Sequence, residues 1–198
     1  MALSRIVVTG GPGAGKTSVW RALTSTHAAR LAPVPEVATL LFQHVFPGVQ
    51  NLAERRAVQR AIFEVQRNLE AIHDNRRAPD QVLLCDRGVP DGAGYWPEGP
   101  EAFFETMQAD WEAEIRRYDA VLFLETAAAG GLSIAAGNET RSETLDAAVL
   151  VDQQLRAVWR THPNCVFIAH ETEFAAKLAR GSAVLRDWLT RDQPGSGK

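Results

Sequence analysis

The sequence predicts an α/β fold of three layers, in which helices cover both faces of a five-stranded parallel sheet. Short apolar runs alternate with helical patterns along the 198 residues, as is typical of parallel strands joined by crossover helices. The first apolar run, Ile6-Val7-Val8, also leads directly into a glycine-rich turn. Such a turn favours a ligand site at the carboxyl end of the first strand.

Each element is predicted from its own pattern. Strands are predicted at 4–9, 32–35, 81–85, 120–124 and 165–169, where aliphatic side chains form short runs. Helices are predicted at 16–29, 37–46, 52–77, 101–117, 145–160 and 171–189, mostly from apolar residues spaced by three or four. Residues 88–100 are rich in glycine and proline and are predicted to form an irregular loop.

Two of the predicted helices have a clear apolar stripe. Over 52–77 the other face is charged, and the stripe consists of Val58, Ile62, Val65, Leu69 and Ile72. Over 101–117 we interpret the stripe as core, and it consists of Phe104, Met107, Trp111 and Ile115.

The glycine-rich turn is a phosphate-binding motif, because residues 10–17 match the pattern GxxxxGK[ST]. Its glycines leave room for several N–H groups to point into one concavity, and the following helix adds the positive end of its dipole. The residues expected to bind ATP are Gly11, Gly13, Ala14, Gly15, Lys16, Thr17 and Ser18. Lys16, one of three lysines among 21 basic residues, is expected at the β- and γ-phosphates, and the Thr17 hydroxyl on Mg²⁺. The motif after the first of five strands predicts a P-loop NTPase sheet of order 2-3-1-4-5.

Two charged residues come directly after the third predicted strand. Asp86 is expected close to the phosphate loop and to Mg²⁺, because the carboxyl ends of parallel strands meet at one edge of the sheet. The alternative is that Asp86 caps a helix or turn. Arg87 can clamp an acceptor phosphate or a hydroxyl-bearing substrate, or it can pair with a local carboxylate.

Glu36 and Arg141 complete the predicted catalytic set. Glu36 follows the second strand, where it can accept a proton from an attacking hydroxyl or, alternatively, only favour the start of a helix. Arg141 lies in the small and polar stretch 127–144, which predicts a lid that closes over the transferring phosphate. The alternative leaves Arg141 on the surface, with Ser142 or Thr144 capping the next helix.

Aromatic side chains are candidates for binding an acceptor. Tyr95, Trp96 and Trp111 can stack on a flat group, although core packing is favoured for Trp111. The five histidines lack metal-ligand spacing and receive no metal-binding role.

Composition limits the class of protein. We expect a single domain over residues 1–192 and a flexible tail at 193–198. The net charge of −3 argues against a surface that coats nucleic acid, and no apolar run is long enough for a membrane span. Cys85 and Cys165 fall in predicted strands, so we expect no disulfide framework and a cytoplasmic location.

Several of these motifs together resemble a known family. The residues that carry the resemblance are 10–17, Pro35-Glu36, Asp86-Arg87-Gly88 with Asp91-Gly92, Tyr95-Trp96, and 138–143. They are similar to the AAA-domain family of P-loop proteins, which includes NadR-type ribosylnicotinamide kinase domains and the kinase-like domain of TRPL-translocation-defect proteins. By this resemblance to nucleoside and nucleotide kinases, Glu36 and Asp86 match acidic positions around acceptor and Mg²⁺, and Arg87 and Arg141 match substrate and lid arginines.

Two functional hypotheses follow. The first is a small-molecule kinase that transfers the γ-phosphoryl group of ATP, with Mg²⁺, to a nucleoside-like or other small acceptor. The second is an ATP- or GTP-dependent switch or ATPase that acts on a protein or lipid partner. ATP is favoured over GTP because the chain has no Asn-Lys-x-Asp sequence to read guanine. A homodimer is a further expectation, because related folds often pair through helices.

Overall fold

The computed structural model describes residues 3–131 and 144–192, and its strands form one parallel sheet. The strands are β1 (Arg5–Gly10), β2 (Leu31–Val34), β3 (Val82–Asp86), β4 (Ala120–Leu124) and β5 (Cys165–Ile168). Their order is β2-β3-β1-β4-β5, so the predicted order 2-3-1-4-5 is confirmed.

Helices flank the sheet on both faces, which confirms the predicted three layers. In the described part of the chain they are α1 (Lys16–Thr26), α2 (Val37–His44), α3 (Leu52–Arg76), α4 (Pro100–Thr106), α5 (Trp111–Ile115), α6 (Leu145–Trp159) and α7 (Phe174–Arg191). Side chains of β1 alternate between the faces, with Val7 in one apolar cluster and Ile6 and Val8 in another. The first cluster includes side chains of α3 and α6, and the second includes side chains of α1 and α7.

The prediction of one helix over 101–117 is wrong, because the segment forms the two short helices α4 and α5. α4 ends at Thr106, and Gln108 then takes a left-handed backbone conformation with a φ of +52°, which a helix cannot contain. Asp110 is the N-cap of α5, and its carboxylate accepts a hydrogen bond from the N–H of Ala113 at 2.6 Å. The apolar spacing continues across the break, which is why periodicity alone predicted one helix.

The apolar stripe predicted for α3 is partly wrong. Val58 is buried, but Val65 and Ile72 are 41% and 45% exposed. The helix instead buries the polar side chains of Gln66 and Glu70. Both bond to groups on other elements, and the spacing of aliphatic residues cannot reveal polar partners that lie far along the chain.

The predicted irregular loop 88–100 contains a 3₁₀ helix over Val89–Tyr95, most of which is buried. Its glycines permit the close packing, since a Cβ on Gly94 would lie 2.6 Å from the side chain of Leu155 in α6. The segment is therefore part of the interior, not a surface connection.

Some predictions concern residues that the structure does not describe. Arg141, residues 132–143 of the predicted lid and the predicted tail at 193–198 lie outside the described residues. The first residues of the stretch predicted as a lid form a short 3₁₀ helix, Ala127–Gly130. Thr144 does cap α6, because its hydroxyl accepts the N–H of Ala147 at 3.2 Å. Within residues 3–131 and 144–192, no helix is long and apolar enough to cross a membrane.

The substitution Gly10→Ala is expected to destabilise the protein strongly. Gly10 has a φ of +134°, and a Cβ at this position would overlap the carbonyl oxygen of Leu124 in β4. We expect the free energy of unfolding, measured by urea denaturation, to fall by at least about 2 kcal/mol. Gly48→Ala is the control, because a Cβ at Gly48 meets no atom within 4 Å. Equal stability of the two variants would contradict the prediction.

Candidate functional site

The phosphate loop lies between β1 and α1, and its backbone suits an anion. Gly13 and Gly15 take left-handed conformations, with φ values of +72° and +82°. α1 begins at Lys16, as predicted, with Gly15 as its N-cap and without an acidic residue in its first turn. The positive end of the helix dipole therefore meets no carboxylate from this turn, which favours the binding of a phosphate.

Lys16 and Gly11 contact each other within the loop. The buried Lys16 Nζ donates to the carbonyl oxygen of Gly11 at 2.6 Å. The N–H of Gly11 donates to Asp152 Oδ1, on α6, at 2.8 Å. Gly11 is thus held at both its carbonyl oxygen and its N–H by side chains of the protein.

Asp86 lies beside the start of α1, at the end of β3. The parallel register pairs Asp86 with Val8 of β1, and the Thr17 hydroxyl is close enough to lower the pKa of the Asp86 carboxyl. Asp86 is 1% exposed, and its Oδ1 is buried without a hydrogen-bond partner. Burial and the negative charge of Glu36 raise the pKa of Asp86 to about 6.

The carboxylate of Asp86 and the hydroxyl of Thr17 are suitable ligands for a divalent cation. An unpartnered buried carboxylate oxygen is costly, and Mg²⁺ binds carboxylate and hydroxyl oxygens while keeping ligands from water and phosphate. Among the described residues there is no group of three or more His, Cys, Asp or Glu side chains that could hold a metal. A cation between Asp86 and Thr17 would therefore take its remaining ligands from nucleotide phosphates and water.

Arg87 and Glu36 form a buried ion pair. Arg87 Nε donates to Glu36 Oε1, and the hydroxyl of Thr39 donates to Glu36 Oε2 at 2.6 Å. Burial alone would raise the pKa of Glu36, but the charge of Arg87, the Thr39 hydrogen bond and Lys16 lower it to about 2. Glu36 occupies the N-cap position of α2, although its side chain makes no capping hydrogen bond there. The pairing of Arg87 with a carboxylate, one of its two predicted roles, is present in the structure.

Asp91 is a charged residue of this site to which the sequence analysis gave no role. Its carboxylate is 3.7 Å from Arg87 Nη1 and accepts hydrogen bonds from the Thr9 hydroxyl at 2.8 Å and from Trp159 Nε1 at 2.7 Å. Asp91 lies within a segment rich in glycine and proline, and such a sequence does not indicate whether an acidic side chain is buried or exposed. The available signals were its position five residues after β3 and its place among the residues that carry the family resemblance, and neither showed what the side chain contacts.

The backbone of Arg87 is strained and is supported by neighbouring hydrogen bonds. Its φ of +76° is unusual for a residue with a side chain. The Arg87 N–H donates to Val8 O at 3.0 Å, and its carbonyl oxygen accepts Gln66 Nε2 at 3.4 Å. Two residues later, the N–H of Val89 donates to the hydroxyl of Tyr118 at 2.8 Å. These bonds fix the chain on both sides of the strained residue.

Glu70, on α3, is the centre of the polar network behind Arg87. Its carboxylate is fully buried and contacts Arg5 Nη1 at 3.2 Å and Arg117 Nη2 at 2.9 Å. It also accepts the Tyr118 hydroxyl at 2.7 Å and Gln66 Nε2 at 3.0 Å. Glu70 therefore orients Gln66 and Tyr118, the two side chains that bond to the backbone at residues 87 and 89.

A cavity of about 700 Å³ opens beside the phosphate loop. Charged residues line one part of it, where Glu36, Arg87 and Asp91 lie near Pro12 of the loop. The remaining lining includes Arg55 together with apolar, aromatic and amide side chains, among them Phe42, Gln59, Tyr95, Trp96 and Leu150. Pockets of roughly 300–1,000 Å³ hold small molecules, so the cavity has the size for a metabolite.

The three aromatic candidates separate into two groups. Tyr95 and Trp96 line the cavity. All three pack in the same apolar cluster, in which Trp96 is a buried member. Trp111 does not line the cavity and stacks on Phe104, with ring centroids 5.3 Å apart, as favoured from the sequence.

The fold and the loop together define a P-loop nucleotide-binding protein. The phosphate motif joins the first strand to the first helix, and the neighbouring strand ends in a buried aspartate, in a sheet of order 2-3-1-4-5. The family model described as "AAA domain" matches residues 5–177, and the chain belongs to this family. Its P-loop implies nucleotide binding. A comparison with curated proteins gives no match.

Glu70→Gln is expected to destabilise the protein, because it removes the fully buried negative charge that contacts both Arg5 and Arg117. Their other partners, Asp74 and Glu114, are farther away, at 3.5 and 3.4 Å. Loss of one partner from a buried ionic cluster costs about 3 kcal/mol, which urea denaturation would measure. Glu112→Gln is the matched control, since Glu112 pairs with Arg116 on the surface and such pairs contribute less than about 1 kcal/mol. A similar small loss in both variants would contradict the assigned importance of Glu70.

Proposed function

We propose that this protein is a small-molecule kinase that transfers the γ-phosphoryl group of ATP to a hydroxyl of a nucleoside-like or other compact acceptor. The observation that carries the proposal is the cavity of about 700 Å³, which adjoins the phosphate loop and has Glu36 and Arg87 in its wall. An enzyme that only hydrolyses ATP needs room for a water molecule and not for a metabolite. The resemblance to NadR-type and related kinase domains supports the same class.

At the donor end, the loop is proposed to bind the phosphates of ATP through its N–H groups over residues 13–18 and through Lys16. Thr17 and Asp86 would hold Mg²⁺, which would supply positive charge at the β- and γ-phosphate oxygens. Lys16 Nζ donates to the Gly11 carbonyl oxygen in the structure, and it would exchange that hydrogen bond for one to a phosphate oxygen when ATP binds. Lys16 then offsets the negative charge that accumulates during transfer.

At the acceptor end, Glu36 is proposed to orient the attacking hydroxyl. A carboxyl with a pKa of about 2 is ionised at neutral pH, so it accepts a hydrogen bond from the hydroxyl. The acceptor oxygen forms a new bond to the γ-phosphorus, the bond from that phosphorus to the bridging oxygen of ADP breaks, and the hydroxyl proton passes to Glu36 and then to solvent. Because this reaction depends mainly on positioning, a weak base in a fixed place suffices.

Two arginines are proposed to stabilise the transferred group. Arg87 keeps a guanidinium in the cavity wall, where Glu36 and Asp91 fix its orientation. Arg141 is proposed to approach from the lid when that segment closes.

The aromatic and amide side chains favour an acceptor with a flat ring. Tyr95 is partly exposed and carries the Arg87 guanidinium over its ring, whereas Trp96 is 4% exposed and supports the wall. Tyr95 offers a surface for stacking, and the amide of Gln59 can both donate and accept a hydrogen bond at the edge of a ring. A nucleoside combines such a ring with several hydroxyl groups.

The kinase proposal is tested by screening acceptors. The purified protein would be incubated with ATP and Mg²⁺ and with nucleosides, ribosylnicotinamide and nucleoside monophosphates, while ADP and phosphorylated products are measured. We expect one class of acceptor to increase ADP formation and to yield a phosphorylated product. In Glu36→Gln we expect this acceptor-dependent turnover to fall about a hundredfold, with ATP affinity nearly unchanged.

The control for this substitution is Glu105→Gln, which changes an exposed glutamate of α4. Acceptor-independent hydrolysis at the same rate in the wild type and in Glu36→Gln, without any phosphorylated product, would contradict the proposal. It would favour the alternative function, a nucleotide-dependent switch or ATPase with a protein or lipid partner.

Lys16→Ala is expected to weaken ATP binding or to abolish transfer, because the phosphates lose their nearest ammonium group. A charged hydrogen bond of this kind contributes about 1.5–3 kcal/mol, which corresponds to a loss of roughly ten- to a hundredfold. Calorimetric titration with MgATP and turnover assays would measure both effects. Arg21→Ala removes a positive charge from an exposed position of the same helix and is the control. Unchanged affinity and turnover in Lys16→Ala would refute the assigned role of Lys16.

A further inference from the structure

Two buried charged side chains contact the phosphate loop from downstream helices. Asp152, on α6, is 5% exposed, and Lys177, on α7, is 3% exposed. Neither is among the residues that line the cavity, and neither has a role in the transfer described above. Both bond to main-chain atoms of the loop and of the segment that follows β4.

Asp152 holds two backbone N–H groups with one oxygen. Its Oδ1 accepts the N–H of Gly11 at 2.8 Å and the N–H of Thr126 at 2.9 Å. The Thr126 hydroxyl in turn donates to the carbonyl oxygen of Pro12. α6, the end of β4 and the first half of the phosphate loop are thus connected through hydrogen bonds that are entirely buried.

Lys177 makes the corresponding contacts on the second half of the loop. Its Nζ donates to the carbonyl oxygen of Ala14 at 3.0 Å and to that of Glu125 at 2.5 Å. The two side chains therefore attach the loop to the same strand end, residues 125–126, through groups of opposite charge. Asp152 binds an N–H of the loop, and Lys177 binds a carbonyl oxygen.

The phosphate loop packs so closely against α6 that Gly11 has no room for a side chain. A Cβ on Gly11 would lie 2.5 Å from Asp152 Oδ1 and 2.6 Å from Asp152 Cβ. Burial also opposes both charges, because it raises the pKa of Asp152 and lowers that of Lys177. Burying these two charges is costly, and the hydrogen bonds that each side chain makes to two main-chain groups offset this cost.

We propose that Asp152 and Lys177 are positioning residues that hold the phosphate loop in the shape that binds nucleotide. The proposal depends on nucleotide binding at the loop, and it is independent of which acceptor the enzyme uses. Asp152 is an acid beside a loop that binds an anion, so its charge opposes the ligand. Its charge also faces the ammonium groups of Lys16 and Lys177, but we assign its contribution to the loop to the two hydrogen bonds. An asparagine, whose Oδ1 can accept the same two N–H groups, should therefore replace it.

The test compares variants of Asp152 by calorimetric titration of the full chain with MgADP. We expect Asp152→Ala to bind MgADP about tenfold or more weakly, because two N–H groups lose their acceptor and the loop is released. Asp152→Asn should bind as tightly as the wild type or more tightly. Asp146→Ala and Asp146→Asn are the controls, since Asp146 is an exposed acid in the first turn of the same helix. Lys177→Met should also weaken binding, because the Ala14 carbonyl loses its donor.

Hydrogen exchange of the wild-type protein, followed by NMR, keeps the test independent of whether Asp152→Ala folds. The Gly11 and Thr126 amides should be protected both without nucleotide and with MgADP, because Asp152 holds them in both states. Rapid exchange of the Gly11 amide in the folded wild type, or wild-type MgADP affinity in Asp152→Ala, would overturn the proposal. Failure of the wild type to bind nucleotide would refute the proposed kinase function. Wild-type binding that is unchanged in Asp152→Ala would refute only the positioning role, so the two results are distinguishable.

Discussion

The parallel pairing of β1 with β3 and β4 is the constraint on which the site depends. This pairing brings three strand ends to one edge of the sheet, so that the phosphate loop, Asp86 and the segment at Thr126 become neighbours although they lie far apart in sequence. The pairing is close enough that the loop must leave β1 through a glycine, Gly10, which contacts the backbone of Leu124. Every later feature of the site is built on this edge.

The charges at this edge are arranged so that each carboxylate has a different environment. Glu36 faces Arg87 and stays ionised, with a pKa of about 2, whereas the pKa of Asp86 is raised to about 6 by burial and by the charge of Glu36. The same Arg87 also faces Asp91, which Thr9 orients. Neighbouring acids therefore suit different tasks: one is a permanent hydrogen-bond acceptor and another is a ligand that a cation would stabilise.

Sequence reasoning succeeded where the information is local and failed where it is not. The phosphate loop, the strand order and the position of Asp86 follow from short runs and from one motif. The polar face of α3 could not be predicted, because Gln66 and Glu70 are buried by partners such as Tyr118 that lie about 50 residues away. Asp152 was missed for the same reason, since its role depends on a loop that begins some 140 residues earlier. The pairing of Arg87 with a local carboxylate was left as one of two alternatives, and Glu36 was not predicted as its partner, because spacing does not show which carboxylate a side chain meets.

Helix α6 contacts both halves of the site. Near its middle, Asp152 bonds to the phosphate loop, and two turns later Trp159 bonds to Asp91 beside the cavity, with Leu155 packed against Gly94 between them. One helix therefore contacts both the phosphate loop and the segment that lines the cavity. In the proposed kinase, a shift of α6 caused by binding at one site would reach the other, and linkage then requires the two ligands to change each other's affinity by the same factor.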